Sequence, residues 1–107
     1  MWCNSAHMSS QTPCRFKHAA LVGKYHARGI RPLLEDVAQL LVRAGLDVSV
    51  ELETAQSTGM SDYPSLPMRE IGRECDVVVV VGGDGTMIAT ARELAPFDLP
   101  LIGINQG

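Results

Sequence analysis

The chain has 107 residues, a formal net charge of −3 and three cysteines, and this length predicts one compact domain that is small for a two-substrate enzyme. Its nine lysine and arginine residues form no run, which argues against nucleic acid or an anionic membrane as a partner. The three cysteines, Cys3, Cys14 and Cys75, include no C-x-x-C pair, so we expect neither a disulfide framework nor a zinc site. No apolar stretch approaches the roughly 20 residues of a membrane helix, so we expect no membrane span. Together these features predict a cytoplasmic protein.

The N-terminal segment, residues 1–15, has no hydrophobic periodicity, and we predict a disordered tail. Ordered structure is expected from Phe16, with a first strand over residues 19–22 that runs into Gly23. The polar loop that follows, residues 24–29, lies at the carboxyl end of that strand. Its basic side chains could face a phosphate, although a solvated surface loop is the favoured interpretation for each one taken singly.

The clearest amphipathic helix of the chain comes next, with Pro32 suited to its first turn and Gly45 to its C-terminal cap. Its apolar positions recur at intervals of three and four residues: Ile30, Leu33, Leu34, Val37, Leu40, Leu41 and Ala44. We expect them to form core rather than a stripe that binds a partner. A second strand is predicted over residues 46–52 by its alternation of apolar and polar residues.

The segment after the second strand has the composition of a connection. Glu51 and Glu53 stand where a dinucleotide-binding Rossmann unit places its ribose-binding acid, but the glycine fingerprint of such units is absent and we discount that role. Residues 55–67 are rich in Ser, Thr, Gly and Pro and predict a long surface loop, either a functional lid or a mobile segment. A short helix over residues 68–74 leads into the next strand, with Cys75 as a buried small apolar residue.

Five consecutive valines, residues 77–81, predict a central parallel strand that is covered on both faces. Three glycines follow in four positions, Gly82, Gly83 and Gly85. A helix is predicted over residues 86–94, with its apolar positions at Met87, Ile88, Ala91 and Leu94. A strand, a glycine turn and a helix form the unit at which open α/β sheets bind phosphate through backbone amides and the helix N-terminus.

Asp84 is the single charged residue of this glycine turn. A carboxylate beside a phosphate cradle has three possible roles: it caps the helix, holds a metal ion that bridges the phosphates, or accepts a proton from an attacking hydroxyl. Capping alone is the simplest explanation for an Asp-Gly pair before a helix. The glycines on both sides and the buried strand before them favour a chemical role, and the helix dipole favours the ionised form that such a role needs.

The last predicted strand covers residues 101–104 and leads into a turn over residues 105–107 at the same edge of the sheet. The alternation of strands and helices predicts an α/β fold, a Rossmann-like open and mostly parallel sheet with flanking helices and right-handed crossovers. Because the chain stops directly after a strand, we expect a fragment rather than a whole protein.

Two segments carry a resemblance to a known family. Residues 82–86 resemble the GGDGT signature of the superfamily of NAD kinases, diacylglycerol and sphingosine kinases and, more distantly, 6-phosphofructokinases. Residues 101–107, LIGINQG, resemble the G-I-N-x-G segment that follows in NAD kinases, whereas a lipid kinase would show a G-T-x-N-D pattern. The resemblance covers residues 16–107, and it implies the N-terminal α/β nucleotide-binding domain of a two-domain kinase, truncated before a C-terminal β-rich domain.

The resemblance to NAD kinases implies transfer of the ATP γ-phosphoryl group to the 2′-hydroxyl of the adenosine ribose of NAD, with a divalent cation such as Mg²⁺. It implies that Asp84 is the general base, that Asp84 and Gly85 contact NAD, that Gly83 and Thr86 lie near the ATP phosphates, and that Asn105 lines the nucleotide site. It also implies a homo-oligomer in the full-length protein, and near inactivity of this chain alone. A lipid kinase with the same signature and a non-catalytic nucleotide-binding module remain alternatives.

Overall fold

The computed structural model describes residues 16–23 and 30–105. Its strands are β1 (His18–Gly23), β2 (Asp47–Glu51), β3 (Ser65–Leu66), β4 (Val77–Gly82) and β5 (Leu101–Asn105). They form one sheet in the order β3-β2-β1-β4-β5, and every neighbouring pair is parallel. The prediction of an α/β fold with an open parallel sheet is confirmed.

Four α-helices flank the sheet: α1 (Ile30–Arg43), α2 (Leu52–Thr58), α3 (Met68–Glu74) and α4 (Asp84–Leu94), the last followed by a 3-10 helix at Ala95–Phe97. The helix α1 packs on one face over β1, β2 and β4, and α3 and α4 pack on the other. The predicted cap of α1 is confirmed, because Gly45 follows the helix with a φ of 93° that favours glycine. None of the helices in the described ranges has the length and hydropathy needed to cross a membrane.

The valine strand β4 lies inside the sheet, between β1 and β5, and β1 is the middle strand. Val77, Val79 and Val81 face the α1 side, whereas Val78 and Val80 face the side of α3 and α4. All five are at most 3% exposed. A strand that is buried on both faces needs apolar residues at every position, which is why the run shows no alternation.

The predicted loop over residues 55–67 is wrong in two places. The helix α2 occupies Leu52–Thr58, and Ser65–Leu66 pairs with β2 as an edge strand. The helix begins without a Ser, Thr, Asp or Asn cap, because the carboxylate of Glu51 accepts hydrogen bonds from its first amides. A strand of two residues is too short to produce a periodic pattern.

The predicted apolar face of α4 is right at Leu94 and Met87, which pack in or against the core, and wrong at Ile88 and Ala91, which are exposed. The helix begins at Asp84 rather than at residue 86, and it buries Thr86, Thr90 and Leu94, while Ile88 is 55% exposed. Thr90 can lie in the core because its hydroxyl donates to the carbonyl oxygen of Thr86 one turn earlier, at 2.8 Å. A hydroxyl that is satisfied within its own helix costs little to bury, so the threonines replace the expected apolar stripe.

Two interpretations concern residues that the structure does not describe. The predicted tail over residues 1–15 and the polar loop over residues 24–29 lie outside the described residues.

Cys75 is buried as expected, and this burial, with the nearby carboxylates of Glu74 and Asp76, raises the pKa of its thiol to about 11. A thiol in that state is neutral and packs as an apolar residue.

Candidate functional site

The glycine turn joins β4 to α4 at the carboxyl edge of the sheet. Gly82 has a φ of 148°, a backbone conformation that side-chain-bearing residues rarely adopt. A Cβ atom at this position would also lie 3.1 Å from the hydroxyl oxygen of Thr86. Gly83 is the N-cap of α4, and its carbonyl oxygen accepts a hydrogen bond from the amide of Met87 at 3.2 Å. The turn therefore requires glycine at Gly82, whereas a Cβ at Gly83 would meet nothing within 4 Å.

Asp84 is the first residue of α4 and is exposed. The simplest explanation of this residue, that its side chain caps the helix, is wrong, because the N-cap position belongs to Gly83. Within the described part of the chain the Asp84 carboxylate forms no hydrogen bond and no ion pair. Its place in the first turn of a helix favours a negative charge there. The carboxylate is thus free to contact a ligand at the edge of the sheet.

Two depressions flank the glycine turn, and they contain different predicted residues. A shallow pocket on the β5 side, of about 190 Å³, is lined by Gly82, Gly83, Asp84, Met87 and Ile104, among others. Asn105 pairs in register with Gly82 on the neighbouring strand, so the sheet brings its backbone to the same edge. The predicted residues Gly83, Asp84, Gly85, Thr86 and Asn105 all lie at this edge.

A second cleft, of about 200 Å³, opens on the β1 side of the turn. The buried residue Thr86 faces this cleft, and Gly23 at the end of β1 forms part of its wall. Among the described residues that line it are three glutamates and four hydroxyl side chains, but no lysine or arginine: Glu51, Glu53, Glu93, Thr54, Ser57, Thr86 and Thr90. The cleft therefore offers hydrogen-bonding groups rather than cationic ones.

The side chain of Glu51 has a structural role at the start of α2. Its side chain is 7% exposed and caps α2, with Oε2 accepting from the amide of Glu53 at 2.9 Å and Oε1 from the amide of Thr54 at 3.0 Å. The hydroxyl of Thr54 adds a third contact at 2.7 Å. Thr54 was not among the residues predicted from the sequence. The only sequence signal for this cluster is the three-residue spacing from a carboxylate to a hydroxyl at a strand end.

The described residues do not form a metal site by themselves. Across residues 16–23 and 30–105, no three His, Cys, Asp or Glu side chains gather closely enough to hold an ion. Asp84 is an exposed carboxylate at the glycine turn. Mg²⁺ usually keeps several waters and binds through one or two carboxylates together with substrate phosphates, so a single carboxylate here fits that ion.

The family-model comparison matches residues 19–107 to the ATP-NAD kinase N-terminal domain. The chain belongs to the ATP-NAD kinase family. Two similar members are the NAD kinases of Methylibium petroleiphilum, 57% identical over 93 residues, and of a Polaromonas species, 53% identical over 93 residues. Each alignment covers 87% of this chain but 31% and 32% of the relative, so the chain spans about a third of the length of these family members.

The fold is shared with a solved NADH kinase structure. The structure of yeast NADH kinase in complex with NADH superposes with a TM-score of 0.68 over 85% of this chain and 30% of that chain, at 18% identity. At this identity the likeness shows the fold alone. Membership of the ATP-NAD kinase family confirms the resemblance drawn from the GGDGT segment, and it favours NAD kinase over the lipid kinases that share this signature.

Proposed function

We propose that the whole protein containing this domain is a NAD kinase, which transfers the γ-phosphoryl group of ATP to the 2′-hydroxyl of the adenosine ribose of NAD and releases NADP and ADP. The observation that carries the proposal is Asp84, an exposed carboxylate without a partner in the described residues, in the first turn of α4 beside the glycine turn. Family membership supplies the reaction class, and Asp84 supplies the proton acceptor that the reaction needs.

Asp84 acts as the general base in this proposal. Its carboxylate accepts the proton of the 2′-hydroxyl while the ribose oxygen bonds to the γ-phosphorus and the bond from that phosphorus to the leaving ADP oxygen breaks. The first amides of α4, including those of Gly85 and Thr86, have no intrahelical acceptor and carry the positive end of the helix dipole. They suit the phosphoryl oxygens, whose negative charge must be stabilised during transfer.

The two depressions suit the two substrates. Thr86 faces the cleft on the β1 side, and we assign this cleft to the donor ATP. Its hydroxyl and carboxylate side chains fit the polar edges of a nucleoside, while the phosphates would lie outside the cleft, at the glycine turn near Gly83, a residue that lines the β5-side pocket. Asp84 lines the pocket on the β5 side, and we assign that pocket, with Gly85 and Asn105, to the acceptor NAD.

A divalent cation completes the proposed reaction. Asp84 is the described residue that would help to hold it, and the ion would neutralise part of the phosphate charge. The cation, the cytoplasmic location, the homo-oligomeric state and the absence of nucleic acid and membrane partners all stay predictions from the sequence and the family resemblance.

The first experiment measures NADP formation from NAD and Mg-ATP by the whole gene product that contains this chain. Asp84→Asn keeps the side-chain volume but cannot accept the proton, so we expect kcat to fall by about 10² to 10⁴. The matched control is Asp47→Asn, an exposed aspartate at the start of β2 and hence at the opposite edge of the parallel sheet. It should leave kcat unchanged.

The alternatives make different predictions for the same assay. A kcat for Asp84→Asn equal to that of the unaltered protein would contradict the general-base assignment. If no NADP forms, lipid acceptors are the next substrates to test. A non-catalytic nucleotide-binding module would bind ATP without any dependence on the Asp84 carboxylate. We also propose that this chain by itself forms little or no NADP.

A further inference from the structure

A buried hydrogen-bond cluster joins the end of β1, the end of β2 and the start of α2, and the mechanism above does not use it. Its centre is the hydroxyl of Thr54, a residue that is 2% exposed. This oxygen accepts a hydrogen bond from the amide of Gly23 at 3.0 Å. It also lies 3.0 Å from the carbonyl oxygen of Gly23 and 2.7 Å from Oε1 of Glu51.

The direction of these hydrogen bonds follows from proton counting. A threonine hydroxyl has one proton, so it donates to only one of its two acceptors at a time. The carboxylate oxygen of Glu51 is closer than the carbonyl oxygen of Gly23, and hydrogen bonds to carboxylates are the stronger kind. A continuous chain therefore runs from the Gly23 amide through the Thr54 hydroxyl to Glu51. It ties the last residue of β1 to the start of a neighbouring helix.

The position of Gly23 matters because it forms the wall of the cleft that Thr86 faces. Gly23 has no side chain with which to anchor itself. It meets the side chains of Ile30 and Leu34, which would lie 3.0 Å and 3.2 Å from an added Cβ. The sheet places Gly23 in register with Val81 of β4, and its amide donates to the hydroxyl of Thr54 at 3.0 Å. The Thr54 hydroxyl is thus the side-chain hydrogen-bond partner of a main chain that the sheet and two apolar side chains also hold.

We infer that Thr54, supported by Glu51, is a positioning residue for the phosphoryl donor, since it helps to hold the Gly23 main chain in the wall of the cleft that Thr86 also lines. The inference rests on the proposed function, which assigns this cleft to ATP. Thr54 and Glu51 line the cleft on the β1 side and not the pocket that contains Asp84. Loss of the Thr54 hydroxyl therefore affects the donor and spares the acceptor.

The test replaces Thr54 by valine in the whole gene product, which removes the hydroxyl and keeps the shape of the side chain. We expect the KM for ATP to rise about threefold to tenfold, the size that loss of one net hydrogen bond predicts, while the KM for NAD stays within about twofold. Calorimetric titration with the non-hydrolysable analogue AMP-PNP should weaken by the same factor. Thr54→Ser retains the hydroxyl and should restore both values.

The matched control is Thr58→Val, the same chemical change on the same helix. The hydroxyl of Thr58 donates to the carbonyl oxygen of Thr54 at 2.6 Å and accepts from the amide of Met60 at 3.4 Å, and among the described residues it forms no hydrogen bond with β1. Its removal should leave the KM ratio unchanged. An unchanged KM for ATP in Thr54→Val, or an equal rise in both KM values, would overturn the inference.

Two further outcomes are covered by the same design. If Thr54→Val does not fold, Thr54→Ala tests the inference by the same KM ratio, because it also removes the hydroxyl that bonds to Gly23 and Glu51. If the unaltered protein forms no NADP, the proposed function has failed. The AMP-PNP titration then decides the positioning role by itself, since equal affinities for Thr54→Val and the unaltered protein would refute it.

Discussion

At the scale of single residues, the backbone of the glycine turn depends on the absence of a side chain at Gly82. Gly82→Ala forces a Cβ onto a backbone with a φ of 148° and brings it 3.1 Å from the Thr86 hydroxyl oxygen. We expect the free energy of unfolding to fall by about 1 to 3 kcal/mol. Urea unfolding followed by circular dichroism measures this change.

The neighbouring glycine provides the control for that prediction. Gly83 has a φ of −94°, and an added Cβ would meet nothing within 4 Å, so Gly83→Ala should cost about 1 kcal/mol or less through the weaker N-cap alone. If the free energy of unfolding falls by the same small amount in the two variants, the turn tolerates a side chain at either position. The strain assigned to Gly82 would then be absent.

At the scale of elements, the sequence predicted those that show a strong pattern and end in recognisable residues. The helix α1 has a regular apolar stripe and Gly45 behind it, and β4 is a continuous apolar run, so both were located closely. The features that it missed depend on contacts that leave no periodic pattern in the sequence. The cap of α2 comes from a strand residue, Glu51, and α4 buries Thr90, whose hydroxyl donates to a carbonyl oxygen within the helix.

The packing of α3 gives a prediction of its own. Gly72 lies in this helix against the aromatic ring of Phe97, and a Cβ at this glycine would overlap the ring. Alanine is the better helix former by about 1 kcal/mol, yet we expect Gly72→Ala to destabilise the protein by about 1 to 3 kcal/mol, because overpacking outweighs propensity. Thermal unfolding of the single variant measures the net effect.

A double-mutant cycle separates these two contributions. In a Phe97→Ala background the ring that Gly72 contacts is gone, so Gly72→Ala should become neutral or stabilising. If the alanine costs the same in both backgrounds, the close approach of α3 to Phe97 is not the reason that this helix carries a glycine.

At the scale of the whole molecule, the parallel sheet explains why residues far apart in the chain form one site. The chain leaves β1 toward β2 on one side and later returns to β4 on the other, so the carboxyl ends of β1 and β4 flank the point where the strand order reverses. Ligands of open α/β sheets bind at such a point. The sequence could place Asp84 and Thr86 there, but it could not show that they face opposite sides of the turn, since that depends on the packing of α4.

This division of the edge predicts how the present chain behaves by itself. The proposed donor cleft is lined by residues of this chain. We therefore expect the chain to bind AMP-PNP even if it forms no NADP. With the ligand at about ten times its Kd, binding adds about 1.4 kcal/mol, which raises the Tm of a domain of this size by roughly 5 to 10 °C. Inorganic tripolyphosphate is the control, because it occupies the glycine turn but has no nucleoside for the cleft. A smaller rise in Tm with tripolyphosphate than with AMP-PNP would support a nucleoside in the cleft, and equal rises would mean that the chain recognises only the phosphates. If AMP-PNP does not raise the Tm, the donor site lies outside this chain.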